Sequence, residues 1–221
     1  MKKNKLLYII IVLIIIAGVV MGVLKGFKKD VTYAANEKIE FYIQQNVNKD
    51  EIKAIADQVL GEKTDKKIQV IEKFNDIACL TVQSATDEQK ESLVNAFNEK
   101  YGLELSKESI TTVNVPEKHI RDMIKGYTFP LLIIVVVALV YMPIRFLKLN
   151  TGRVIWKTVL TMVIPEALLV SIYTIFRIPL NDIFMPFVIF VLVASLIVEQ
   201  ICLNKEEEKK QLEEIEEEKA E

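Results

Sequence analysis

The sequence predicts an α+β membrane protein: four transmembrane helices, with a small watery domain of mixed helix and strand inserted after the first. Three observations predict it. Of the 221 residues 51% are hydrophobic and the mean hydropathy is +0.27, too apolar for an ordinary soluble chain of this size. The apolar residues collect in four runs, 6–24, 129–147, 154–176 and 182–203, each long enough to cross a hydrocarbon core about 30 Å thick at about 1.5 Å per residue. Between the first and second runs lie about 100 residues of ordinary globular composition. The expected organisation is a cytoplasmic start and first span (1–29), an extracytoplasmic domain (30–125), a three-helix membrane block (126–203) and a charged tail (204–221).

Lys2, Lys3 and Lys5 precede Leu6–Leu24, a run without charge and longer than the apolar core of a signal peptide. An uncleaved anchor is expected. Gly18, Gly22 and Gly26 fall four apart and form one smooth stripe, which lets another helix approach closely.

The period then changes. Lys38–Gln44 alternates as a strand, with Ile39, Phe41 and Ile43 on one side. Asn48–Leu60 reads as a helix capped by Asn48, with Glu51 completing a capping box and Ile52, Ile55, Val59 and Leu60 inward. Two strands, 67–72 and 76–84, flank a hairpin signal at Phe74-Asn75-Asp76. Thr86 caps a helix over Asp87–Tyr101 that Gly102 stops, and Ser109–Val115 supplies a last strand ended by Pro116. The order β-α-β-β-α-β is that of the split-βαβ, or ferredoxin-like, arrangement, one sheet face covered by both helices.

Several chemistries find no support. The domain has no Ser/His/Asp set and no glycine-rich phosphate loop, so no enzyme and no cofactor are expected. A single histidine, His119, leaves no zinc site of the His/Cys kind. A net charge of −2 without a basic groove gives no sign of nucleic-acid binding. Cys79 reads as a small buried hydrophobe, and with Cys202 expected across the bilayer no intramolecular disulfide is predicted.

Orientation follows from the short connections. Arg145, Lys148, Arg153 and Lys157 lie between the second and third spans, and only Arg177 between the third and fourth. Cations favour the cytoplasmic side, which places both termini there and the domain outside. The Glu- and Lys-rich tail reads as a solvated helix or as a docking tail for a cytoplasmic partner.

Pro165-Glu166 sits midway along the third run. A carboxyl group there costs about 2.5–3.5 kcal/mol on insertion scales. Arg177 is eleven residues away, about 16 Å along a helix, and Lys157 is near the other end. Thr161, Ser171 and Ser195 could donate hydrogen bonds. Glu166 therefore either keeps its proton or takes a partner from another subunit, and it serves either proton coupling or helix–helix adhesion. Pro165 removes a backbone donor beside it. Glu199 is placed near the cytoplasmic end of its helix, where snorkelling is cheap.

The layout resembles SecF, the smaller subunit of the SecDF accessory complex of bacterial protein export, related to the RND transporters. Tyr141, Ile144, Arg145 and Phe146 are similar to that family's Tyr-Ile-x-Ile-Arg-Phe at the end of its second span. Pro165-Glu166 falls where the family has His-Asp, Asn181 where its fourth span begins, and Ser195 at the serine of its Gly-Tyr-Ser motif. Asp30-Val31-Thr32-Tyr33 stands in place of the family's glycine pair, and four spans are seen where the family has six. The resemblance implies a bacterial cell-membrane protein working with a SecD-like subunit, the SecYEG channel and a translocating polypeptide. It also implies that proton coupling needs polar groups supplied by a partner. A non-transporting membrane scaffold or regulator, whose outer domain binds a protein, is the alternative.

Overall fold

The computed structural model describes residues 2–71 and 77–220. They form two units, Lys29–His119 and a helical unit of Met1–Lys28 with Ile120–Glu221.

The first unit is built on a four-stranded antiparallel sheet ordered β2-β3-β1-β4. Strand β1 (Asn36–Tyr42) is central and turns Ile39 and Phe41 toward the helices. Helix α2 (Lys49–Leu60) follows, its N-cap Asn48 accepting from the Asp50 amide at 2.9 Å. The expected capping box at Glu51 does not form. Its carboxylate instead accepts from the Tyr101 hydroxyl at 2.9 Å. Burial, and then this bond, push the Tyr101 phenol up to about 12.

Strands β2 (Lys66–Val70) and β3 (Ile77–Val82) pair antiparallel; the Phe74-Asn75-Asp76 turn lies outside the described residues. Helix α3 (Asp87–Tyr101) opens on a closed capping box between Thr86 and Gln89. It ends at Gly102, whose φ of 65° is the left-handed conformation that a side chain disfavours. A 3-10 turn over Lys107–Ser109 leads into β4 (Thr111–Val115), two residues shorter than the expected strand.

Both helices cover one face of the sheet. Ile52, Ile55, Leu93, Val94 and Phe97 meet Ile39, Phe41, Leu80 and Val82 there, with the rings of Phe41 and Phe97 4.5 Å apart. Glu37, on the same face, accepts from Lys90 and from the Ala85 amide, tying β1 to the start of α3. Where chain enters and leaves the unit, Lys29 bonds Glu117 at 2.6 Å and the Lys118 amide bonds the Tyr33 carbonyl at 3.0 Å. The Lys29 ammonium holds the Glu117 carboxyl below the usual range.

The helical unit contains α1 (Lys2–Lys25), a short α4 (Ile120–Lys125) that the sequence pattern did not suggest, α5 (Thr128–Arg145), α6 (Thr151–Ile175) and α7 (Phe184–Ala220). Helices α1, α5, α6 and α7 are long and apolar enough to cross a membrane. Helix α6 is the hub: α1, α5 and α7 all pack on it. The division between units falls at His119/Ile120, so α4 groups with the long helices and not with the 30–125 domain expected from sequence.

Removing the Phe97 ring leaves a cavity against Phe41, at an expected cost of about 3–5 kcal/mol. Cys79, 6% exposed and with burial pushing its thiol pKa up, reports this loss. In a Cys202→Ser background, Phe97→Ala should label at Cys79 at lower urea than the parent.

Candidate functional site

The site is assembled along α6, whose first turn is fixed by Asn150 accepting from the Arg153 amide at 3.1 Å. At the other end of α6, α1 lies against it. An added Cβ on Gly18 would overlap the Cβ of Ser171, and one on Gly22 would rest 3.5 Å from Thr174 Cγ2. Close approach is used for hydrogen bonding. Thr174 Oγ1 is 3.0 Å from the Gly18 carbonyl, and Ser171 Oγ is 3.5 Å from that of Ile15 and 2.7 Å from that of Ala167. Gly26 has a different place from Gly18 and Gly22. It lies past the helix end at φ 61° with nothing near an added Cβ, so it turns the chain and does not pack.

Arg177 completes this contact. It adopts φ 54° after the last turn of α6, where glycine is usual, and donates to the Gly26 carbonyl at 2.6 Å and the Lys25 carbonyl at 3.2 Å. A cation at the C-terminal end of α1 complements the helix dipole there.

Midway along the same helix Glu166 opens into a cleft of about 1080 Å³. The cleft is lined by α1, α5, α6 and α7, with Ile15, Val135, Met162, Val170 and Leu192 among its walls. Both carboxyl oxygens are buried and neither has a hydrogen-bond partner among the described residues. Of the three hydroxyls expected near it, Ser171 is used on backbone carbonyls, Ser195 bonds its own helix, at 2.8 Å to the Val191 carbonyl, and Thr161 is placed against Glu199. Pro165 lines a separate groove with Ser195 and Glu199, and α6 runs unbroken past it.

The remaining sequence-chosen residues gather near the α5–α6 connection or at the start of α7. Phe146 is fully buried with Met142, Val154 and Leu203. Arg145 stacks over it, 5.1 Å from the ring centroid, and reaches Glu207 at 3.3 Å. Tyr141 is exposed, its hydroxyl 3.4 Å from Gln200 Nε2. Asn181 accepts from the Ile183 amide at 3.1 Å in the turn that precedes α7.

Glu199 is where the sequence reading needs correction. It does not snorkel: it is 5% exposed, and Oε1 accepts from Thr158 at 2.9 Å while Oε2 has no partner among the described residues. Helix α7 does not end near residue 203. It continues to Ala220 as one helix of 37 residues. The tail's first turns dock on the basic connection. Glu206 pairs with Lys157 and lies 4.0 Å from Arg153, Glu207 pairs with Arg145, and Lys210 donates to the Lys148 carbonyl at 2.8 Å.

His119 is exposed, both cysteines are free, and no group of three metal-ligating side chains occurs among the described residues. The class defined is therefore a chain of four membrane-length helices and a small α+β unit, with Glu166 in a mainly apolar cleft where its carboxyl has no partner among the described residues. No known family model and no curated protein matches the chain.

Two substitutions test the geometry. Gly18→Ala should destabilise the detergent-solubilised protein by about 1–3 kcal/mol through overpacking, read as a lower Tm. Adding Ser171→Gly should recover little of the loss, because the added Cβ would also overlap the Ser171 Cα, whereas Gly22→Ala alone should be mild. Thr158→Val removes the closest donor to Glu199, leaving Thr161 beside it, and should cost about 1–3 kcal/mol, again read as Tm.

Proposed function

We propose that this chain is a SecF-like accessory subunit of the bacterial Sec protein-export machinery. One observation carries the reading: an α+β unit with strand order β2-β3-β1-β4, inserted in sequence between the first and second of four membrane-length helices. Two helices on one face of such a sheet support the ferredoxin-like arrangement that the family resemblance implies.

The four helices lie in the bacterial cell membrane. Leu6, Leu13, Val23, Phe129, Val137, Phe190 and Val198 are exposed around them, a surface that suits hydrocarbon and not water. Both termini and the Arg145–Lys157 connection are cytoplasmic and the α+β unit is extracytoplasmic, in line with the distribution of cations. The partners are a SecD-like subunit and the SecYEG channel. An ionised carboxyl with no donor and apolar walls is costly. A proton, or a donor brought by the partner subunit, removes that cost at Glu166.

Co-purification from a mild detergent extract tests this directly. A SecD-like protein is expected with the chain. A different partner in its place would instead identify a scaffold or regulator. Glu166→Gln keeps the shape of the side chain and removes its titration. Export, measured as translocation of a secreted reporter, should then fall severalfold while the complex still assembles. Loss of assembly with it would assign Glu166 to helix–helix adhesion.

A further inference from the structure

We infer that the free edge of β4 is a docking edge for an extended polypeptide segment, which adds to the sheet by main-chain hydrogen bonds to Thr111–Val115. The inference rests on the export reading for the source of such a segment, and on the sheet itself for the site.

Strand β4 closes the sheet order, and among the described residues no strand lies beyond it. In an antiparallel pair every second residue aims its N–H and C=O away from the partner, so β4 offers a row of main-chain donors and acceptors. Its two faces are open as well. Thr112 and Asn114 stand opposite Ile39 and Glu37, on the side the helices cover, yet both are exposed. The helical layer stops short of this strand. On the other face Val113 is 45% exposed.

Edge strands are commonly blunted by lysine, proline or a bulge. The opposite edge follows that rule. Strand β2 opens on Lys66 and Lys67, and Lys66 is drawn back to Asp57 and to the Gly61 carbonyl. Strand β4 carries no charge and no proline, and Thr111, Thr112, Val113 and Val115 are strong strand formers. This is an edge suited to strand addition.

The occupant follows from the same features. With both faces open, the side chains of an added strand meet no pocket, so the main chain is read and sequence is tolerated. Five residues span about 17 Å, far too little to bury the about 800 Å² per partner of a stable dimer. A short, sequence-tolerant edge of this kind fits transient capture of an unfolded chain better than a permanent contact with a second copy.

The test is amide hydrogen exchange on the full chain in detergent, with reduced, carboxymethylated lactalbumin as the unfolded probe. Exchange over 111–115 should slow about tenfold or more when the probe is added, with α2 and α3 unchanged. Val113→Pro and Asn114→Pro remove neighbouring amides, one facing β1 and one facing outward. The outward one should abolish the slowing and leave the protection of α3 and Cys79 intact. A photo-crosslinking residue at Thr112 should capture the probe, while one at Gln69 on the opposite edge should not; this arm needs no proline. No slowing at β4, or equal capture at Gln69, overturns the inference. So does concentration-dependent protection of β4 without probe, which would mean that a second copy occupies the edge. If the inference fails while a SecD-like protein still co-purifies, the export reading stands and only the edge is lost.

Discussion

Gly18 leaves room on α1 for nothing larger than hydrogen, and Ser171 of α6 occupies the space. This one approach sets the geometry of the helical unit. Apolar helices gain little from burying apolar surface against one another when their surroundings are also apolar, so small residues and interhelical hydrogen bonds decide where they touch. At Gly18 both operate. The missing side chain brings the backbones together, and that proximity puts the α1 carbonyls within reach of the Ser171 and Thr174 hydroxyls. Arg177 then takes the carbonyls left over at the end of α1. Helix α1 needs no polar side chain of its own for this contact.

The same rule, that polar groups among apolar helices find partners inside the protein, separates the two acids. Glu199 is placed against Thr158 and within a turn or two of the basic connection that holds Glu206 and Glu207. Its surroundings supply a donor to one of its two oxygens. Glu166 faces an open cleft walled mainly by apolar side chains, and its carboxyl has no donor among the described residues. Ser171 and Thr174 line the same cleft, but their hydroxyls are bonded to backbone carbonyls. An acid for which the fold supplies nothing is poor adhesive within this chain, which favours a role involving a proton or another chain.

Much of the architecture was legible in the sequence because local patterns dictate it. Thr86, Gln89 and Gly102 bracket α3 as read, since cap, box and left-handed stop all lie within a turn of the helix they bound. The spacing of Gly18 and Gly22 gave the smooth stripe, but helical spacing alone could not tell that the helix would end at Lys25 and leave Gly26 outside it. Glu51 shows the other limit. Asn48 caps α2 as expected, yet the carboxylate that should close the box is held by Tyr101, 50 residues further on, and no local pattern reports such a competitor. The Glu- and Lys-rich tail reads as helix from its sequence, since a run without glycine or proline is a good helix former, and α7 continues through it. What no local pattern reports is that Glu199 meets Thr158, 41 residues earlier on another helix.

The continuity of α7 carries a mechanical consequence. At about 1.5 Å per residue its 37 residues extend about 55 Å, and a hydrocarbon core of about 30 Å accounts for little more than half. The remainder is a stiff charged rod. Its ion pairs with Arg145 and Lys157 are partly exposed, and pairs of that kind are worth about 0–1 kcal/mol each. The fully buried contact of Phe146 with Val154 and Leu203 beneath them contributes more. The charges therefore choose the register of the rod against the α5–α6 connection, and the apolar contact holds it. Because the helix is unbroken from Phe184 onward, a force on the charged end is passed to the segment bearing Glu199 and not absorbed in a flexible linker. Arg145 and Lys157 of the α5–α6 connection are thus the cations that seat the tail of α7.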